Sequence, residues 1–189
     1  FLLEDGVVEK VADASTPQPI IASVRMPISS LVDVQPTGTL IVLHDVRDPG
    51  NVGTIIRSAD ASGATAVILT GHSVDPFNPK TLRATAGSVF HLPVVLHESI
   101  EEVLTWFHNA GGVSFATVVR NGENLDTIEL PANHLFVLGN EAEGLSDEAV
   151  ELATKGVTIP MTGRAESLNV SVAAALTLFA GQRSRHSLR

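Results

Sequence analysis

The stretch D-P-G-N-V-G-T-I-I-R-S-A-D-A-S-G-A, residues 48–64, follows closely on the apolar run Leu40–Val46. Proline cannot donate to a strand ladder and glycine frees the backbone, so the run must leave its sheet in a tight turn. From Asn51 the pattern becomes that of an amphipathic helix. Asn51 and Arg57 are expected to project near the amino end of that helix, where free amides and the helix dipole favour anions. A lone arginine on such a helix is ordinarily a solvated charge. The junction gains weight because it recurs.

Outward from this point, strand-like runs at Ala66–Thr70, Pro93–Leu96, Val113–Val119, Leu135–Leu138 and Val157–Ile159 alternate with helical patterns. The helices are expected at Asn51–Ser62, Asn78–Ala86, Ser99–Ala110, Ser146–Ala153 and Leu168–Arg183. Continuous Val/Ile/Leu strands separated by helices predict an α/β domain, a mostly parallel sheet with helices on both faces. Ligands in such sheets sit beyond the carboxyl ends of strands, which directs attention to the loops after Val46, Val119, Leu138 and Ile159. Residues 1–36 mix charges with the passage S-T-P-Q-P and close on V-D-V-Q-P-T-G. They read as a short strand-bearing segment and a linker, with a boundary near Gln35–Gly38 and the main domain at 37–189. Arg183–Arg189 reads as a polar tail.

With 189 residues, 44% of them hydrophobic, the chain can build one sizeable core. No run approaches the roughly 20 apolar residues of a spanning helix. The amino end, F-L-L-E-D-G, lacks the basic region of a signal peptide. Without cysteine there is no disulfide framework or thiolate metal site, and the seven histidines show no ligand spacing such as H-E-x-x-H. A cytoplasmic protein without a metal is expected. Because Phe1 is not Met, the chain is expected to begin inside a longer product. Twelve Lys and Arg against 21 Asp and Glu give a net charge of −9, which weighs against extended nonspecific binding to nucleic acid.

Two further junctions carry polar groups. In L-F-V-L-G-N-E-A-E-G-L-S, residues 135–146, Gly139 removes a side chain where a ligand could approach the backbone. The stretch is neither a dinucleotide fingerprint nor a P-loop. Its plain reading makes Gly139 and Gly144 turn residues and Glu141 and Glu143 solvated charges. In V-T-I-P-M-T-G-R-A-E-S-L-N-V-S-V-A-A-A-L, residues 157–176, Pro160 ends a strand, and Ser167 and Asn169 stand at the opening of an Ala/Val-rich helix. The plain reading of Ser167 is a helix N-cap. Three such junctions in one chain favour a composite site.

Taken in order, the three stretches resemble the motifs of the SpoU/TrmH family of RNA ribose 2′-O-methyltransferases, within the SPOUT superfamily, over residues 40–180. The resemblance implies an S-adenosylmethionine-dependent enzyme, a deep trefoil knot formed by the carboxyl-terminal strands and helix, and a homodimer with active sites at the subunit interface. General topology rules alone exclude a knot by default. Residues 1–36 resemble the end of an RNA-substrate-binding domain that many relatives carry upstream. Position by position, the resemblance assigns catalytic roles to Asn51, Arg57, Glu141, Ser167 and Asn169. It assigns cofactor contacts to Gly139, Ile159 and Leu168, with Thr117 and Val118 as further wall residues. Asn140 and Ala142 receive no role.

The implied substrate is large-subunit rRNA, and tRNA is the nearest alternative. An antibiotic-resistance rRNA methyltransferase is another. A non-catalytic, cofactor-binding RNA-interaction protein and a small-molecule nucleotide-binding enzyme stand as readings of other classes. The partners implied are RNA and a second copy of the chain, with no DNA and no membrane. A guanidinium stays protonated at ordinary pH, so Arg57 reads as a clamp on phosphate and hydroxyl rather than a proton acceptor. The acidic balance is reconciled if RNA contacts concentrate at Arg47, Arg57, Lys80, Arg83 and Arg164. With no Tyr and a single Trp106, base stacking is expected outside this segment.

Overall fold

The computed structural model describes residues 2, 4, 6–12 and 18–187, with side chains to residue 184. Ser15, Thr16 and Pro17 of the S-T-P-Q-P passage and the last two residues of the polar tail lie outside the described residues. In chain order the elements are α1 (Val7–Val11), β1 (Ile28–Ser29), β2 (Thr39–His44), α2 (Pro49–Ser62), β3 (Ala66–Thr70), α3 (Pro79–Thr85) and β4 (Val94–His97). There follow α4 (Ile100–Asn109), β5 (Val113–Thr117), β6 (Glu123–Asn124), β7 (His134–Leu138), α5 (Asp147–Leu152), β8 (Lys155–Thr158) and α6 (Val170–Ser187). The strands form one eight-stranded sheet in the order β1-β4-β3-β2-β7-β5-β8-β6, and every neighbouring pair is parallel.

The two-residue period of a strand divides the apolar side chains between two cores. Leu40 and Val42 of β2, Ile68 of β3 and Leu135 and Val137 of β7 face one side, where Val103, Leu104 and Phe107 of α4 cover them. Ile41, Leu43, Val67, Leu69, Phe136 and Leu138 face the other, against Val52, Ile55, Ile56 and Ala59 of α2 and Ala174 and Leu178 of α6. Strands buried on both faces carry no alternating polar residues, which is why they read as unbroken apolar runs.

Several boundaries differ from the sequence expectation, among them the end of α6, which runs to Ser187 through residues read as a polar tail. β2 ends at His44 rather than Val46 because Asp45 takes a left-handed backbone, φ 58°, and turns the chain out of the sheet. α2 starts before Asn51: the Asp48 side chain accepts from the Asn51 amide at 2.8 Å and Pro49 occupies the first turn. α6 starts at Val170 instead of Leu168. The strand expected within residues 1–36 is β1, an edge strand on β4, and Val34 just beyond it is buried in the α4-side core. β6 was not expected. No helix among the described residues is long and apolar enough to cross a membrane.

α3 lies directly on α2 at Gly53. A β-carbon there would come to 2.5 Å from the Ala84 β-carbon and 2.6 Å from the Thr81 carbonyl oxygen. The contact holds Lys80 and Arg83 of α3 beside the exposed face of α2. Gly53→Ala is expected to lower the unfolding free energy by about 1–3 kcal/mol, read as a lower urea midpoint. An unchanged midpoint would show that α3 moves aside without cost.

Candidate active site

The site is built where the carboxyl ends of β2, β5, β7 and β8 release their loops. At the first, the amides of Arg47 and Asp48 point away from α2 with no partner in their own helix, as the first residues of any helix do. Glu141, from the loop after β7, takes both: Asp48 N donates to Oε1 at 3.1 Å and Arg47 N donates to Oε2 at 3.4 Å. In a common helix start the third residue is a glutamate that reaches back to the capping amide. Here the third residue is Asn51, and the glutamate arrives from another loop.

Asn51 is thereby free to bridge. Its Nδ2 donates to Glu141 Oε1 at 3.1 Å, and its Oδ1 accepts from Asn169 Nδ2 at 3.1 Å. Asn169 in turn caps α6, its Oδ1 accepting from the Ser171 amide at 2.8 Å and the Ser171 hydroxyl at 2.6 Å. One continuous chain of hydrogen bonds, Glu141 to Asn51 to Asn169 to Ser171, therefore joins the three motif loops. Partial burial pushes the Glu141 carboxyl up, and this is the largest single influence on it. The bonds from Asn51, from its own amide, and from the Asp48 and Arg47 amides together outweigh burial and hold it below the ordinary glutamate range.

Beside this chain lies a cleft of about 210 Å³ between the loops after β5, β7 and β8 and the opening of α6. All five expected cofactor residues, Thr117, Val118, Gly139, Ile159 and Leu168, line it, as does Ser167. The Thr117 hydroxyl oxygen is buried there and has no hydrogen-bond partner among the described residues. Gly139 is also the turn residue that the plain reading made it. A β-carbon on it would strike the Gly144 carbonyl, so its lack of a side chain lets the loop close on itself.

Two expectations are corrected. Ser167 is not the cap of α6, because Asn169 holds that position; Ser167 is exposed on the cleft wall. Arg57 does not stand with Asn51 at the helix start. Six residues of α-helix advance about 9 Å and turn about 240°, which puts Arg57 in the third turn. It is exposed, and its side chain makes no hydrogen bond or ion pair with a described residue. Arg47, Lys80, Arg83 and Arg164 are also exposed, and Lys80 Nζ lies 3.9 Å from Asp48 Oδ2. Trp106 packs against the α4-side core, with its ring 6.2 Å from that of Phe107. Two residues with structural parts in the site were not singled out from sequence. Asp48 was legible, since an Asp followed by Pro is a helix-start signal. Asn140 was not: its Nδ2 donates to the Asp45 carbonyl at 3.0 Å, a bond between residues 95 apart in the chain. Among the described residues no group of three or more His, Cys, Asp or Glu could hold a metal ion.

A family model described as the SpoU rRNA Methylase family matches residues 38–179. The chain is 36% identical over 183 residues to the 23S rRNA (guanosine(2553)-2′-O)-methyltransferase RlmP of Bacillus subtilis, across 95% of this chain and 71% of that protein. The AdoMet-bound rRNA methyltransferase from Sinorhizobium meliloti superposes with a TM-score of 0.75 at 40% identity, over 82% of this chain and 60% of the other. The SpoU methyltransferase AviRb from Streptomyces viridochromogenes, in complex with the cofactor AdoMet, gives 0.78 at 36% identity, over 86% and 67%. The chain thus spans 60% to 71% of the length of these three proteins.

The Glu141 bonds have a pH signature. A carboxylate whose folded pKa lies below its ordinary value of 4.5 contributes stability in full above that value and loses it as pH falls through the folded pKa. Glu141→Gln is expected to be less stable than the parent chain in urea at neutral pH. The gap should hold down to about pH 5 and close at lower pH. A gap that stays constant to about pH 3 would mean that the charge of Glu141 contributes nothing to the docking.

Proposed function

The chain belongs to the SpoU rRNA methylase family, and on that premise we propose that it transfers a methyl group from S-adenosylmethionine to a ribose 2′-hydroxyl of structured RNA, large-subunit rRNA first among the candidates. The observation that carries the reading is the meeting of three separate loops: the chain Glu141–Asn51–Asn169 stands beside a cleft lined by the five cofactor residues.

The cleft fits the cofactor. Leu138, Ile159, Met161 and Leu168 offer apolar walls for a purine, and the unpartnered Thr117 hydroxyl marks a place where a polar group is wanted. Gly139, Ile159 and Leu168 would hold the group through backbone and wall contacts. When bound, S-adenosylmethionine supplies an electrophilic methyl on a sulfonium. The protein's part is positioning, because a neutral hydroxyl attacks well only when held in line. Glu141 and Asn51 fix the loop, Asn169 fixes Asn51 against α6, and Ser167 lies on the cleft wall within the same motif. Arg57, charged and without an internal partner, is available to clamp the substrate phosphate and orient the ribose.

The finer features of the proposal have their own support. A homodimer is supported by the exposed face of α6, where Val172, Leu176 and Phe179 stand at 47%, 43% and 36% exposure and follow helical spacing. The cleft is also smaller than the roughly 300–1,000 Å³ of a typical ligand pocket, as expected where a second copy completes the wall. A trefoil knot is supported by the path of the chain: β8 lies beyond β5, and α6 returns past them to pack on α2, β2 and β7. Residues 1–36 are proposed to be the end of an upstream RNA-binding domain plus the linker that adds β1 and Val34 to this one, and the cytoplasm is the proposed compartment.

Arg57→Ala is expected to reduce transfer of labelled methyl groups to large-subunit rRNA by at least about 100-fold while calorimetric binding of S-adenosylmethionine stays within about threefold. Full activity in the variant would remove Arg57 from the mechanism, and methylation of tRNA in its place would redirect the substrate assignment. Leu176→Asp is expected to convert a dimer, measured by light scattering, into a monomer. A dimer mass unaffected by that change would place the interface elsewhere.

A further inference from the structure

We infer that Asn140 is a positioning residue of this site, tying the loop after β7 to the turn after β2 and so fixing the amides on which Glu141 docks. The inference rests on the function proposed above. It starts from Asp45, a non-glycine residue with φ 58°, a conformation that persists only when its surroundings impose it. Three hydrogen bonds do so. Asp45 N donates to the Thr70 carbonyl at 3.2 Å, Asp45 Oδ1 accepts from the His72 amide at 2.6 Å, and the Asp45 carbonyl accepts from Asn140 Nδ2 at 3.0 Å. The first two come from β3 and the loop that follows it. The third is the one that comes from the cleft.

The orientation of the Asn140 amide follows from its partners. Its Oδ1 accepts from the amides of Ala142 at 2.8 Å and Glu143 at 3.3 Å, so Nδ2 is the end that meets a carbonyl. The main chain of Asn140 pairs with Gly144 in both directions, at 3.0 and 2.9 Å. One side chain therefore shapes its own loop with its oxygen and reaches across to the next loop with its nitrogen. Its neighbour Glu141 makes the parallel link to Arg47 and Asp48. With both links made, the two loops have one register; with Glu141 alone, the turn that presents its amides can relax out of the left-handed conformation.

Aspartate has the same shape as asparagine and keeps the acceptors, but its carboxylate cannot donate to Asp45. In Asn140→Asp, hydrogen exchange at the Arg47 and Asp48 amides is expected to quicken at least tenfold, with exchange in β2 and β7 unchanged. At saturating RNA and cofactor, methyl transfer to large-subunit rRNA should fall at least tenfold while S-adenosylhomocysteine binds within threefold of the parent. The rate relative to the parent should recover as pH falls and the introduced carboxyl regains a proton to donate. Asn140→Ser, too short to span the gap, should show the same exchange and rate changes without the pH recovery. Unchanged exchange at Arg47 and Asp48 in a folded variant overturns the inference, and so does a loss of cofactor affinity as large as the loss of rate. If the parent chain methylates no RNA, the proposed function fails, and the exchange measurement still decides whether Asn140 holds the turn.

Discussion

A carboxylate on one loop closes the amino terminus of a helix on another: Glu141 accepts from the amides of Arg47 and Asp48 and from the side chain of Asn51. These amides cannot be satisfied within α2, and the dipole at that end favours negative charge. The carboxylate in turn is partly withdrawn from water and needs donors. Each side answers a need of the other, so the two loops hold one geometry. Asn51, released from ordinary capping by Glu141, extends the arrangement to Asn169 and the start of α6.

The sheet makes this meeting possible. β7 lies between β2 and β5, so the loops leaving β2 and β7 are neighbours although more than ninety residues separate them. The strands before this point run outward as β2, β3, β4, and the later strands occupy the other half of the sheet. A crevice forms where the order reverses, and ligands of open parallel sheets bind there. α6 then crosses back, bringing Asn169 to the first loop and Leu168 to the cleft. The position of the site thus follows from strand order, and its chemistry from a few polar residues at the loop ends.

Much of this could be read from the chain. The inner strands declared themselves because burial on both faces leaves no polar alternation, and the three motif loops stood out as glycine- or proline-marked exits from such strands. β6 could not be seen, since Glu123 and Asn124 are polar and exposed, and their strand conformation comes from pairing with β8. The early end of β2 depended on Asp45 taking a conformation that its type seldom adopts. The role of Asn140 is not legible in the chain, because a turn asparagine has an adequate local explanation and its cross-loop bond exists only once β7 lies beside β2. For α6, Ser167 read as the cap, but the helix starts at Val170 and Asn169, bonded to Asn51, takes that place.

The account turns on the cleft beside the Glu141 chain being a cofactor site. Calorimetric titration of S-adenosylmethionine into the chain, with Leu168→Asp as the comparison, tests this most directly. Leu168 is 37% exposed and lines the cleft, so the substitution should leave the fold intact. The account predicts micromolar binding to the parent chain and at least a tenfold loss in the variant. Absence of binding to the folded parent, or equal binding by both, would contradict it.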